Sequence, residues 1–246
     1  MEQEAGLKVV DALDLDPELV ALLRPGQLVV GRDGRSHRLP RYFYEVPTRE
    51  AAVEVRLAPH FALNEFMLAD VKEPARVRAF PRYVPCAVRF LAFYLERVRE
   101  AVGAPVHVSV NGGYRAPAHR LAEGATAHMW GTAADVYRIG HVALRDQSAI
   151  ETYSRIVEDV SDDLWVMPYG SVPGTADDHL HVDLGYLTLV PREMSEEAEE
   201  RRRESPRYAF EERRRLDRRG WPTGSELDEL VTHPSEVPAD SPADPD

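Results

Sequence analysis

The apolar pattern of the sequence predicts a globular domain that mixes helices with short strands. One helix is predicted over about 85–102, where apolar residues recur every three or four positions, with Gly103 as its stop. A second helix is predicted over about 144–160. The alternating β-branched residues of 105–110 and the alternating apolar and polar residues of 179–184 predict strands.

Composition and charge narrow the class of protein. The 246 residues are 43% hydrophobic and 8% aromatic, which is typical of a chain with one sizeable core. The net charge of −12 argues against a broad surface for nucleic acid or anionic membrane, because both ligands favour cationic faces. No apolar run is long enough to span a membrane and no secretory signal is evident, so we expect a cytoplasmic protein.

Changes in composition divide the chain into three parts. Residues 1–55, broken by RPG and RDG turns, are predicted to form an N-terminal extension. Residues 56–190 are predicted to form the principal domain. Residues 191–246 begin with acidic and basic blocks at helical spacing and end in a stretch rich in Pro, Asp and Ser, which predicts a charged helix and a disordered tail.

The first segment with chemical character is TAHMWGTAADV, which covers Thr126–Val136. His128 and Asp135 are seven positions apart, and on a flat strand an odd offset places side chains on opposite faces. We therefore expect a bend or bulge near Gly131 that brings the two side chains together.

The second segment is HLHVD, about fifty residues downstream. On a strand, alternate side chains point to opposite faces of the sheet. One face then carries only polar groups that could bind metal or hydrogen-bond, and the other carries apolar groups. The polar set is His179, His181 and Asp183, and the apolar set is Leu180, Val182 and Leu184.

The residue types limit the kind of metal site. Cys86 is the sole cysteine of the sequence, so a thiolate-rich site is excluded and zinc would need imidazole and carboxylate ligands. Catalytic zinc typically takes three protein ligands and leaves a position for water, whose pKa it lowers to roughly 7. The two segments supply enough histidine and aspartate for such a site, which indicates metal-assisted hydrolysis.

At these residues the sequence resembles the family of zinc D-Ala-D-Ala carboxypeptidases and related murein peptidases. The resemblance covers about residues 58–188 and rests on TAHMWGTAAD (Thr126–Asp135) and HLH (His179–His181). The upstream NGGYRAPAH is similar to the family's SGYRSP segment, and HFALNEF resembles the lead-in of one bacterial subfamily.

The resemblance implies a role for each matching residue. His128, Asp135 and His181 would be the zinc ligands. His179 would hydrogen-bond within the site or stabilise the developing oxyanion. Arg115 would bind substrate and stabilise charge during turnover.

Three aspartates are candidates for the catalytic base. In several relatives a carboxylate stands three residues before the last zinc histidine, which is Asp178 here. Strand parity instead favours Asp177 or Asp183 facing the cleft, although Asp183 is better suited to orient a ligand histidine. Asp178 is our choice. Thr126 replaces the family's usual serine and is expected to keep a supporting hydroxyl.

The fold that the resemblance implies is α+β, a small antiparallel sheet with flanking helices, as in Hedgehog and DD-peptidase zinc domains. The implied function is a zinc peptidase that cleaves small peptides or peptidoglycan-derived substrates containing D-amino acids. A zinc-stabilised binding module of the Hedgehog type, or a metal hydrolase or cyclase acting on an amide outside the cell wall, are the alternatives.

Overall fold

The apolar stripe of the first long helix lies at the centre of the core. The structure is a computed structural model that describes residues 7–122, 124–171 and 177–191, all within one compact unit. Each fully buried valine or leucine of the stripe contributes roughly 1.5–3 kcal/mol by leaving water. The predicted stripe is confirmed, and its members are all buried: Val88, Leu91, Ala92, Leu95 and Val98.

The described chain alternates short helices and short strands. The helices are α1 (Pro17–Leu23), α2 (Arg49–Glu54), α3 (Ala75–Arg78), α4 (Val88–Val102) and α5 (Gln147–Val160), with 3-10 turns at Ala12–Asp14, Leu63–Phe66 and Ala127–Trp130. The strands are β1 (Lys8–Asp11), β2 (Leu28–Val30), β3 (Ser36–Arg38), β4 (Tyr42–Val46), β5 (Arg56–Ala58), β6 (Phe61–Ala62), β7 (Arg82–Pro85), β8 (Val106–Val108), β9 (Ala133–Ile139), β10 (Val142–Ala143), β11 (Trp165–Val166) and β12 (Leu180–Asp183).

All strand pairs named here are antiparallel. Strand β9 is the centre of the larger sheet and pairs with β8, β10 and β12, while β12 also pairs with β11. Helix α4 packs against α5 and contacts β8 and β9. The prediction of a mixed α+β fold with small antiparallel sheets and a few helices is confirmed.

Residues 7–55 contribute strands to the sheets of the same unit. Strands β1 and β4 form a three-stranded sheet with β7, in which Phe43 lies opposite both Val10 and Pro85. The boundary predicted at residue 55 therefore divides a continuous sheet. The charged segment predicted over 191–246 lies outside the described residues, apart from residue 191.

Both long helices begin later than predicted, for local reasons. Helix α4 starts at Val88 rather than 85, because β7 extends to Pro85 to pair with β4. Helix α5 starts at Gln147 rather than 144, because the Asp146 carboxylate accepts the Ala149 N–H at 3.0 Å and caps the helix. Gly103 ends α4 with φ of +62°, as expected for a left-handed helix stop.

Among the described residues, none of the helices combines the length and the apolar character needed to cross a membrane.

Glu73, Arg82 and Tyr114 form a buried polar cluster. Glu73 is only 2% exposed and Tyr114 is likewise buried. Arg82 is close to Glu73 and donates to the Met67 carbonyl at 2.6 Å. Burial raises the pKa of Glu73 to about 7, although a hydrogen bond from the Ala116 amide and nearby arginine charges oppose the rise. Between pH 4.5 and about 7, the Glu73 carboxyl is therefore protonated more in the native state than in the unfolded state.

This raised pKa predicts how stability depends on pH. Between the ordinary pKa of 4.5 and about 7, the native state binds more protons than the unfolded state. The stability that Glu73 contributes is complete below pH 4.5 and is lost as pH rises to 7, by up to about 3 kcal/mol. We expect Glu73→Gln to remove this decline in urea denaturation measured across that range. The exposed Glu54→Gln serves as the control, and identical slopes in all three proteins would contradict the prediction.

Candidate metal centre

His128 lies on a 3-10 turn and not on a strand. The turn Ala127–Trp130 begins at Thr126, whose hydroxyl accepts the His128 N–H at 3.2 Å. It ends at Gly131, whose φ of +70° is a conformation that favours glycine. The expected bend near Gly131 is confirmed, but it is a helical turn rather than a bulge in a strand. Thr126 therefore supports the site by capping the turn that carries His128.

Asp135 and His181 meet because their strands are neighbours. In the pairing of β9 with β12, the two residues lie directly opposite each other. Directly opposed residues in an antiparallel pair project to the same face of the sheet. Both side chains are buried, so the two residues meet inside the protein.

The turn after β8 makes backbone hydrogen bonds to Asp135 and to His128. The Asp135 N–H donates to the Gly112 carbonyl at 2.7 Å, and the Arg115 N–H donates to the His128 carbonyl at 3.2 Å. Gly113 packs so closely that a Cβ would lie 2.3 Å from the Phe66 carbonyl oxygen. Glycine is therefore required at this position for the turn to approach the site.

Three ligand atoms converge in one buried volume. Oδ1 of Asp135 is 3.2 Å from Nε2 of His128 and 2.8 Å from Nδ1 of His181, and the two nitrogens are 3.3 Å apart. The three atoms all lie within 4.8 Å of one another. The structure thus brings together the three predicted metal ligands, and this group could hold a metal ion.

The outer nitrogens of both imidazoles are already occupied. Nδ1 of His128 lies 2.8 Å from the Gly113 carbonyl, which can only accept, so this nitrogen carries the proton. Nε2 of His181 lies 3.0 Å from Oδ2 of Asp183, and by the same reasoning it donates. In their neutral forms both rings therefore direct a lone pair toward the Asp135 carboxylate. Three buried acceptors in contact need a cation or a proton between them.

Burial and neighbouring charges shift the pKa of each of the three residues. Burial lowers the pKa of His128. Burial would raise the pKa of Asp135, but the charge of His128, hydrogen bonds from both imidazoles and the charge of Arg115 hold it well below its ordinary value. Burial also opposes a charged His181, yet the hydrogen bonds with Asp135 and Asp183 and the charges of both carboxylates raise its pKa to about 9.

Arg115 contacts the site through the carboxylate of Asp135. Its guanidinium donates to Oδ2 of Asp135 and to the Asn111 carbonyl, and 13% of its side chain is exposed. Because Oδ2 is occupied by Arg115, Oδ1 is the oxygen that faces the two imidazoles. The predicted charge-stabilising residue is thus at the site and is held by fixed contacts.

His179 and Asp178 form a pair at the edge of the site. Nε2 of His179 is 3.5 Å from Oδ1 of Asp135, and its Nδ1 is 2.7 Å from Oδ1 of Asp178. The Asp178 side chain is 84% exposed, so it lies outward of His179. Asp177 is half-buried. The choice of base between Asp177 and Asp178 stays a prediction.

Asp183 lies beneath His181 and not in an open cleft. Its side chain is fully buried, its Oδ2 accepts from His181, and its Oδ1 accepts the Gly185 N–H at 2.8 Å. The Arg32 guanidinium donates to the same Oδ2 at 2.7 Å. Asp183 thus contacts His181, and its role in orienting a metal ligand stays a prediction.

Two contacts of the site were missed by sequence reasoning. The Gly113 carbonyl that orients His128 is a backbone atom, so no residue type signals it. Arg32 lies in the RDG turn, 151 positions from Asp183, and the sequence analysis treated that turn only as a break between elements.

Comparison with known proteins adds no relative. No family model matches the chain, and neither the curated proteins nor the solved structures contain a significant match. The nature of the metal is therefore argued from the donors. Two imidazole nitrogens and one carboxylate oxygen are donor types that zinc accepts in proteins.

The converged donors predict that the site binds one divalent metal ion, and zinc is the ion to test. We expect about one zinc per chain by metal analysis after dialysis. Because only the folded state offers the converged ligands, zinc at a hundred times its Kd should stabilise the protein by about 2.7 kcal/mol, reversed by a chelator. Asp135→Asn and His181→Ala should lose both the ion and the stabilisation. The exposed His141→Ala should retain them, and equal loss in that control would mean that the ion binds elsewhere.

Proposed function

We propose that this protein is a zinc-dependent peptidase that hydrolyses an amide bond in small peptides containing D-amino acids, such as those derived from the cell wall. The observation that carries the proposal is the convergence of the His128, Asp135 and His181 acceptors beside Arg115 and His179. The substrate class rests on the motif resemblance of residues 126–135 and 179–181.

The donor set fits the chemistry of amide hydrolysis. A zinc ion held there would supply a Lewis acid for the amide carbonyl and make water a stronger nucleophile near neutral pH. Arg115 is a fixed guanidinium next to the ligand carboxylate, so it can stabilise negative charge on the carbonyl oxygen without moving. The protein supplies this positive charge before the substrate arrives.

The pair of Asp178 and His179 is suited to accept a proton from water. A carboxylate that binds Nδ1–H of His179 leaves Nε2 as an acceptor on the side of the metal ligands. We assign the base to this pair, with Asp178 as the carboxylate. Either Asp178 takes the proton itself or it orients His179 to do so, and in both cases loss of the carboxylate impairs turnover.

A non-catalytic, zinc-stabilised binding module is the second candidate. The observation in its favour is the 84% exposure of Asp178, which places the candidate base at the outer edge of the site. In such a module zinc would contribute to stability alone. A metal hydrolase or cyclase that acts on an amide outside the cell wall would use the same residues and differ only in its substrate.

Variants of the pair separate these functions. Zinc-loaded protein would be offered D-Ala-D-Ala, L-Ala-D-Glu and a cell-wall pentapeptide, with release of product measured. We expect hydrolysis of at least one peptide and a fall in kcat of about 100-fold or more in Asp178→Asn, with zinc content unchanged, because general base catalysis is lost. The exposed Asp162→Asn should behave as the unmodified protein.

The opposite result would favour the binding module. A fully zinc-loaded protein that cleaves none of the three peptides would not be the proposed peptidase. Cleavage that is indifferent to Asp178→Asn would support a peptidase but would remove Asp178 from its mechanism.

A further inference from the structure

The hairpin of β2 and β3 reaches the metal centre from the N-terminal extension. Arg32, in its turn, donates from Nη2 to Oδ2 of Asp183 at 2.7 Å. The same carboxylate oxygen accepts from Nε2 of His181 at 3.0 Å. One buried oxygen atom is therefore shared between a metal-ligand imidazole and a guanidinium from a distant part of the chain.

An aromatic ring holds the guanidinium in this position. The central carbon of the Arg32 guanidinium is 3.5 Å from the centroid of the Trp165 ring. The Trp165 ring is in turn 5.9 Å from the His181 ring, in an edge-to-face arrangement. Stacking on indole and a hydrogen bond to a carboxylate are the two interactions for which arginine is better suited than lysine.

The hairpin of β2 and β3 also contacts both segments that contain the proposed metal ligands. The Arg32 N–H donates to the Tyr186 hydroxyl at 2.7 Å, three residues beyond Asp183. The Tyr186 ring packs edge-on against Trp130 at 4.9 Å, and the Trp130 indole donates to the Arg38 carbonyl at 2.9 Å. Trp130 belongs to the 3-10 turn of His128. The hairpin thus contacts the 3-10 turn and the end of β12 together.

These contacts indicate that Arg32 orients the Asp183 carboxylate. The Asp183 carboxylate is fully buried, and removal of its cationic partner leaves a buried negative charge with less compensation. With Arg32 in place, Oδ2 is directed at Nε2 of His181, so this nitrogen keeps its proton and Nδ1 faces Asp135 and His128. The orientation of a ligand histidine by such an outer carboxylate typically changes metal affinity 10- to 100-fold.

We propose that Arg32 is a positioning residue of the metal centre, acting through Asp183 to hold His181 in the orientation and tautomer that bind metal. The hairpin of β2 and β3 then contributes to metal binding through Arg32. The inference rests on the proposed zinc site and not on the identity of the substrate. An ion pair that only stabilises the fold would leave metal affinity unchanged in the folded variants.

Zinc affinity measured by competition with a chelator tests this role. We expect Arg32→Gln to weaken zinc binding about 10- to 100-fold and Arg32→Lys to lie between, since lysine restores the charge without the stacked fork. Arg35→Gln, at an exposed position of the same turn, is the matched control and should bind as the unmodified protein. Circular dichroism of each variant without metal would show that it is folded.

A double-mutant cycle shows whether Arg32 acts through Asp183. We expect Arg32→Gln to cause little further loss of zinc affinity when Asp183→Asn is already present, because the path to His181 is broken. The absorption spectrum of the cobalt-loaded Arg32→Gln and Arg32→Lys variants gives an independent report of the ligand environment and does not require the Asp183 variant to fold.

The outcomes are distinguishable. Unchanged zinc affinity and an unchanged cobalt spectrum in Arg32→Gln would overturn the positioning role, and so would losses that add fully in the cycle. Failure of the unmodified protein to bind zinc would instead overturn the metal centre itself.

Discussion

The site depends on three buried atoms that lie in contact, two imidazole nitrogens and one carboxylate oxygen, and all three are acceptors when the imidazoles are neutral. Nε2 of His128 and Nδ1 of His181 lie 3.3 Å apart and share Oδ1 of Asp135 as a neighbour. Such an arrangement is unfavourable unless a positive charge lies among them. In the neutral imidazoles the outer nitrogens donate to the Gly113 carbonyl and to Asp183, so the inner ones are acceptors. Either a metal ion or a proton on His181, whose pKa is raised to about 9, supplies the positive charge.

The fold sustains this arrangement with rigid elements on each side. Asp135 and His181 are fixed by the register of β9 against β12, and His128 by a capped turn. Helix α4 packs its apolar stripe behind the sheet. These elements place the three side chains in contact with one another. Core packing and strand pairing thereby offset the unfavourable free energy of bringing the three acceptors together.

The sequence predicted the parts of the site that local pattern reports. Alternation placed His179, His181 and Asp183 on one face, and the spacing of His128 and Asp135 required a bend at Gly131. The pattern contained no sign that His128 lies on a 3-10 turn, because a capping threonine and a glycine suit several turns. It also contained no sign of Arg32, since local periodicity does not specify which distant segments pair. The extension therefore looked separate although its strands and its hairpin contact the same unit.

Anomalous diffraction from crystals grown with zinc is the most direct test of the central claim. We predict one anomalous peak, from a zinc ion bound to Nε2 of His128, Oδ1 of Asp135 and Nδ1 of His181. Each of the three atoms should lie about 2.0–2.2 Å from the peak. Nε2 of His181 should remain on Asp183 and Nδ1 of His128 on the Gly113 carbonyl. A protein that crystallises with excess zinc yet shows no peak among these three atoms would contradict the account.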